Sequence, residues 1–362
     1  MNLDELNFDL PDDLIAQRPL TKRDDSRMML IDRSTGKWED RQFREFPELL
    51  GGNELVVFNN ARVIPARLFG KRTGIHAQPL GENNPAKGEH LQAEIEVLLV
   101  RQLAPDRWET LVRPGRKIPV GERIVFGEGQ LEGVVESRED FGCRVIRFTA
   151  KQGFHQALEN LGHIPLPPYI KREDDSADRQ RYQTVYAKHG SAVAAPTAGL
   201  HFTPELLARL RERNIEIAEI TLDVGLGTFE PIRTEKLEEH KIHSESYEIS
   251  ETAAQSISQA KKENRPILAI GTTTVRALED SAEKAQPTEA IRTGEQEATI
   301  FLYPGKPLRI VSQLLTNFHL PQSSLLALVA TFTGREELLC AYRHAVQQGY
   351  RFYSYGDCML IR

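Results

Sequence analysis

The sequence predicts an α/β protein: a large α/β domain with a mixed sheet, into which a small closed β-barrel domain is inserted. Three observations lead there. Residues 67–149 hold only short alternating apolar runs cut by glycine-rich turns. Residues 54–58 (ELVVF) already read as a buried strand before those runs begin. Beyond residue 151, strand-like and helix-like periods alternate, the pattern of an α/β layer fold. The expected division is therefore 1–66 and 151–362 for the large domain, with most of the active site in the second part, and 67–150 for the barrel.

The barrel rests on runs at 94–100 (EIEVLLV), 108–112 (WETLV), 123–126 (RIVF) and 144–148 (RVIRF), with turn signals at Pro114, Val120, Gly127, Gly129, Gly133 and Gly142. Short, evenly spaced strands of this kind close into small barrels. Residues 74–90 are polar, rich in Gly, Asn and Pro, and lack a period, so they read as a surface loop. In the large domain, Thr203, Pro204 and Glu205 give an N-cap, a first-position proline and a first-turn acid, which starts a helix. Alternation from Ala218 to Val224 predicts a half-buried strand. Residues 251–262 have helical spacing, and 267–270 (ILAI) form the continuous apolar run of a central parallel strand. Residues 283–297 read as a polar loop, with further strands at 300–303 and 308–311.

Composition bounds the function only loosely. The chain has 362 residues, 40% hydrophobic and 27% charged, with a formal net charge of −6. No stretch approaches the roughly 18 apolar residues of a membrane span, and the acidic N-terminus has no signal-peptide pattern. The expected location is the cytoplasm. Three scattered cysteines, without a CxxC pair, fit free thiols. Net acidity does not advertise a nucleic-acid surface, although Arg62, Arg67, Lys71 and Arg72 cluster, as do Arg113, Arg116 and Lys117.

Four segments carry possible chemistry, and each has a purely structural alternative. Residues 193–203 (VAAPTAGLHFT) set Thr197 and His201 among small residues that admit a close backbone or flat ligand; the alternative is a tight strand-to-helix turn. Residues 267–276 (ILAIGTTTVR) run a buried strand into Gly271, Thr272, Thr273 and then Arg276, an anion cradle at a helix start; threonines also cap helices for structural reasons alone. Residues 221–231 (TLDVGLGTFEP) offer Asp223 and Glu230, but the third glycine of a dinucleotide fingerprint is missing. Residues 315–326 (LTNFHLPQSSLL) offer Asn317 and His319, although a histidine between apolar neighbours is commonly a satisfied core residue. The C-terminal 350–361 (YRFYSYGDCMLI) adds aromatics around Asp357. His240, His243 and Glu245 are spaced too loosely to argue for a metal.

Taken together, these segments resemble the S-adenosylmethionine:tRNA ribosyltransferase-isomerases, the queuosine-pathway family QueA. The likeness runs from FDLPDDLIAQRPL through VFNNARVIPARL, GHIPLPPYI, VAAPTAGLHFT, GTTTVRALE and LLTNFHLPQSSLL to YRFYSYGDCMLI, nearly the whole chain. Two departures stand out: Asp223 occupies a position where the family usually has His, and Leu226 one that is often smaller. Loop 74–90 is also longer than usual.

The resemblance implies transfer of the ribosyl group of S-adenosylmethionine to 7-aminomethyl-7-deazaguanine at a tRNA wobble position. The sugar rearranges to an epoxycyclopentane, and adenine and methionine leave. S-adenosylmethionine is thus a consumed co-substrate, and no separate cofactor or metal is expected. The expected partners are S-adenosylmethionine and a tRNA of the wobble-G type; no membrane is expected, and nothing in the sequence demands a dimer, so a monomer is the expectation. Such chemistry needs a base for the carbon beside the sulfonium, stabilisation of departing adenine, and a neutral attacking amine. The candidates for proton handling are His201, His319, Asp223 and Asp357. Those for holding substrate are Asn59, Arg62, Thr197, Thr228, Phe229, Glu230, Thr272, Thr273, Arg276 and Asn317, and for tRNA phosphates Arg62, Arg67, Arg113 and Arg116. The rivals are an S-adenosylmethionine-dependent tRNA methyltransferase, which would show a glycine-rich loop after its first strand, and a non-catalytic tRNA-binding protein, which would show a stronger basic surface.

Overall fold

The computed structural model describes residues 1–74, 93–115, 118–139, 142–225, 232, 234–240 and 242–362. The chain forms two compact units. One comprises Met1–Arg62, Pro167–Glu173 and Gln180–Arg362; the other comprises Val63–Leu166 and Asp174–Arg179.

The larger unit is built on a mixed sheet of nine strands among the described residues. Their order is Gly294–Ala298, Glu245–Ile249, Glu216–Leu222, Leu55–Asn59, Ile267–Ile270, Gln313–Asn317, Cys358–Ile361, Arg27–Asp32 and Lys37–Gln42. Leu55–Asn59 lies parallel to Glu216–Leu222 and to Ile267–Ile270, and Ile267–Ile270 lies parallel to Gln313–Asn317. Both outer pairs are antiparallel. Central strands are apolar on both faces because both faces are covered. Val57 and Ala269 join one hydrophobic core, while Val56, Phe58, Leu268 and Ile270 join the other. Packed against the sheet are Pro204–Glu212, Glu251–Lys262, Thr272–Lys284, Ser324–Thr333 and Arg335–Gln347. Thr203, Ser250 and Ser323 each cap a helix by accepting a backbone N–H, a role that stabilises a helix by about 1 kcal/mol.

The smaller unit contains a closed antiparallel barrel, ordered Cys143–Ala150, Arg107–Arg113, Glu94–Ala104, Arg67–Arg72, Arg123–Phe126 and Leu131–Arg138. Trp108, Ile124, Phe126, Ile146 and Phe148 fill its interior. At Gly70 a β-carbon would stand 2.6 Å from the Phe126 ring and 2.7 Å from the Val125 carbonyl, so only glycine lets these two strands meet. The expected loop 74–90 lies, beyond Gly74, outside the described residues.

Two expectations need correction. Residues 300–303 and 308–311 form no strands; the strand is Gly294–Ala298, which overlaps the end of the stretch 283–297 expected to be loop. It is an edge strand with a half-exposed pattern, so its apolar signal is weak. Ile310 and Val311 are buried, as apolarity suggests, yet their N–H groups donate to the Glu279 carboxylate at 3.0 and 2.8 Å instead of to a neighbouring strand.

Candidate active site

The parallel strands of the larger unit bring their carboxyl ends to one edge, where α/β sheets ordinarily hold ligands. Beyond Ile270 come Gly271, Thr272 and Thr273; within and beyond Gln313–Asn317 come Thr316, Asn317 and His319. These line a cavity of about 290 Å³ together with Ala195, Thr197, Val224, Tyr169, Tyr353 and Ser354. None of the described lining residues carries a carboxylate, ammonium or guanidinium, and the lining imidazole is that of His319.

His319 is 7% exposed, and burial pushes its pKa down to about 3, so the ring is neutral. Nε2 lies 2.8 Å from Thr316 Oγ1, and the Tyr342 hydroxyl accepts the backbone N–H at 3.0 Å. The loop is thereby pinned on two sides and the ring has one fixed partner.

His201 sits behind the wall. Its Nδ1 lies 2.9 Å from Ser26 Oγ and its Nε2 lies 3.2 Å from Asn317 Nδ2. The Asn317 amide also faces the carbonyls of Tyr353 and Asp357 at 3.2 and 3.4 Å, which fixes its nitrogen as the donor. His201 Nε2 therefore accepts, and Nδ1–H donates to Ser26. Burial, with the charges of Arg23 and Arg351, holds this imidazole at about 3.

Thr272 and Thr273 start the helix Thr272–Lys284, whose first turn has no side-chain cap, so backbone donors and the helix dipole are free to meet an anion. Gly271 before them has φ 91°, a backbone that glycine adopts without strain. The rings of Tyr169 and Tyr353, which also line the cavity, lie 3.9 Å apart between centroids. Tyr353 has φ 72°, and Tyr169 shares a 2.5 Å hydrogen bond with Ser354. The sequence singled out none of these three residues; the aromatic crowding at 350–355 was the available signal.

Other expected residues lie elsewhere. Asn59 is fully buried and acts as a strand clamp: its Oδ1 accepts from Leu222 and Ala61, each at 3.0 Å, and its Nδ2 donates to the Leu222 carbonyl at 3.0 Å. Asp223 follows the strand Glu216–Leu222 between Leu222 and cavity-lining Val224, and its carboxylate lies against Gly190, where a β-carbon would come within 2.2 Å of Oδ1. Arg276 is buried against Glu245 and also donates to the carbonyls of His243 and Ala298. Asp357 is 1% exposed and accepts the N–H groups of Arg27 and Arg351 at 2.9 and 2.8 Å; burial raises its pKa. Arg62 and Arg113 are exposed, and Arg67 pairs with Glu96 at 3.2 Å. Thr228, Phe229, Glu230 and Arg116 lie outside the described residues. Among the described residues no cluster of His, Cys, Asp and Glu could hold a metal, and no helix is long and apolar enough to cross a membrane.

A cavity without charged side chains among the described residues, at the strand ends of a mixed sheet in a chain that also carries a closed barrel, places the protein among two-unit α/β enzymes. The family model described as queuosine biosynthesis protein matches residues 3–361, and the chain belongs to that family. A protein of Solibacter usitatus named S-adenosylmethionine:tRNA ribosyltransferase-isomerase is 50% identical over the full length of both chains. One of Desulfitobacterium hafniense with the same name is 45% identical, again over the full length of both. The crystal structure of S-adenosylmethionine tRNA ribosyltransferase from Thermotoga maritima matches with a TM-score of 0.53 and 33% identity, covering 99% of this chain and 100% of that one.

Proposed function

We propose that the chain is an S-adenosylmethionine:tRNA ribosyltransferase-isomerase. It transfers and isomerises the ribosyl group of S-adenosylmethionine onto 7-aminomethyl-7-deazaguanine at the wobble position of tRNA, giving epoxyqueuosine and releasing adenine and methionine. It works as a monomer in the cytoplasm on tRNAs of the wobble-G type, consumes S-adenosylmethionine, and uses no metal or separate cofactor. The full-length likeness to enzymes of that name supports the reading, and so does the absence of the methyltransferase glycine loop.

The observation that carries the chemistry is a neutral imidazole, that of His319, on a wall with no charged side chain among the described residues. Deprotonation of the carbon beside a sulfonium needs an acceptor. Neutral His319 is that acceptor when Thr316 Oγ1 takes its Nε2–H and leaves Nδ1 as the lone-pair nitrogen. Thr272, Thr273 and the helix start hold the methionyl carboxylate, with Thr197 beside them. Tyr169 and Tyr353 give the sulfonium an aromatic wall, an attraction of about 0.5–2 kcal/mol. His201 holds Asn317 in place from behind. Arg276 and Asn59 support the site from beneath, one through Glu245 and the other through the backbone of Leu222. Asp223, Asp357 and Glu230 remain further candidates for proton handling and sulfonium contact, together with Thr228 and Phe229; Arg62, Arg67, Arg113 and Arg116 are candidates for phosphate contact.

The test is product analysis with S-adenosylmethionine and tRNA carrying the aminomethyl base. Adenine and methionine in equal amounts, formed only with that tRNA, are expected. S-adenosylhomocysteine, or no turnover with tight tRNA binding, would replace this reading with a methyltransferase or a binding protein.

A further inference from the structure

Behind the His201 side of the cavity lies a second, smaller recess of about 20 Å³, room for about one water, lined by Lys22, Arg23, Arg181, His201 and Ser354. Ser354 lines both hollows. His201 is joined through Nε2 to Asn317 of the cavity wall. One layer of side chains therefore separates the recess from the ligand cavity.

Positive charge in the recess is not balanced. Arg23 donates to the carbonyls of Leu200 and Gln180 at 3.0 and 2.7 Å, and Arg181 to the carbonyl of Thr21 at 2.8 Å. Arg181 Nε is buried without a partner. Among the described residues the hydrogen-bond acceptors of Arg23 and Arg181 are carbonyls, and no carboxylate is among their charged neighbours. Burial first, and then the charge of Arg181, pushes Arg23 down to about 10; burial lowers Arg181 as well. Partly buried cations that meet only carbonyls are held at a cost that an anion offsets.

The size of the hollow says which anion fits. It admits about one oxygen and not a whole tetrahedral group, so the anion sits at the mouth with its other substituents outside. Two guanidinium forks and an ammonium suit phosphate oxygens. We propose that the recess receives a backbone phosphodiester flanking the nucleotide whose base enters the cavity, an assignment that rests on the tRNA substrate proposed above. The contact would set the register of the RNA, as phosphate contacts do.

The test compares Lys22→Gln and Arg181→Gln with the wild type. Lys22 is exposed, so its replacement leaves folding intact, and S-adenosylmethionine binding reports folding for both variants. Each variant is expected to raise KM for tRNA severalfold, leave KM for S-adenosylmethionine unchanged, and flatten the dependence of log affinity on log salt by about 0.7–0.9. An anticodon stem-loop with a neutral methylphosphonate beside the target nucleotide should lose the same factor against the wild type and nothing more against Arg181→Gln. Inorganic phosphate at constant ionic strength should compete with RNA and not with S-adenosylmethionine. Unchanged salt slopes, additive losses with the methylphosphonate, or phosphate competing with S-adenosylmethionine would each overturn the assignment. A wild type that releases no adenine would instead dispose of the proposed reaction.

Discussion

Nε2 of His319 lies 2.8 Å from Oγ1 of Thr316, three residues back along the same chain reversal, and both residues line the cavity. If this pair orients the imidazole for proton transfer, His319→Gln lowers kcat for adenine release by about 10²–10⁴-fold with KM for S-adenosylmethionine little changed. Thr316→Val lowers kcat less, because the base remains and only its orientation is freed. Unchanged turnover in His319→Gln would remove the residue from the chemistry.

The two buried histidines tie stability to pH. Burial holds both at about 3 in the fold, against an ordinary 6.5. Above 6.5 neither state binds the protons, and the stability is full. As pH falls from 6.5 toward 3, the unfolded chain takes them up and the fold does not, so stability falls by up to about 1.4 kcal/mol per pH unit for each histidine. Asp357 and Glu279, whose pKa values burial raises, protonate sooner in the fold and offset part of that loss. Denaturant unfolding at pH 7 and pH 5 should show the decline, and the double variant His201→Gln/His319→Gln should show a shallower one. Equal slopes would mean that the rings are protonated in the fold.

Glu245 holds both Arg276 and the backbone of Gly225, whose N–H reaches its Oε1 at 3.0 Å. Removing the carboxylate strands a buried guanidinium, so Glu245→Ala should cost about 3–5 kcal/mol, while the paired apolar replacement Glu245→Leu/Arg276→Met should cost much less. Thermal and denaturant unfolding check both. A direct ligand role for Arg276 would appear differently, as lost turnover in Arg276→Met/Glu245→Leu at near-normal stability.

At Gly199 an added β-carbon would stand 1.9 Å from the Tyr186 hydroxyl and 2.8 Å from Thr184. Gly199→Ala should therefore destabilise by about 1–3 kcal/mol through overpacking and displace neighbouring Ala198 and Thr197 at the cavity. Unfolding curves together with KM for S-adenosylmethionine report the two effects; a variant of wild-type stability would show that the ring moves freely.

The small residues of 193–203 were legible as a place of close approach, and the tight contact at Gly199 is the physical content of that pattern. Helix starts at Thr203, Ser250 and Ser323 were equally legible, because capping is local chemistry. Strand Ile267–Ile270 announced itself by being apolar on both faces. Gly294–Ala298 did not, because a half-exposed edge strand carries little apolar signal, and the buried run at 308–311 misled because its donors go to Glu279. For the candidate site, types and order were readable: Thr197, Thr272, Thr273, Asn317 and His319 all line one cavity. What each side chain pairs with was not. Nothing local in the sequence tells that Arg276 meets Glu245, that Asn59 clamps Leu222, or that Tyr169, far from Tyr353 in the chain, packs its ring against it at the cavity.

The most direct test is the mass of the modified nucleoside after reaction of the purified protein with S-adenosylmethionine and aminomethyl-deazaguanine tRNA. The aminomethyl nucleoside should be converted to its epoxycyclopentane-bearing product, with one free adenine per nucleoside converted. A nucleoside heavier by a methyl group alone, or unchanged while the RNA stays bound, would contradict it.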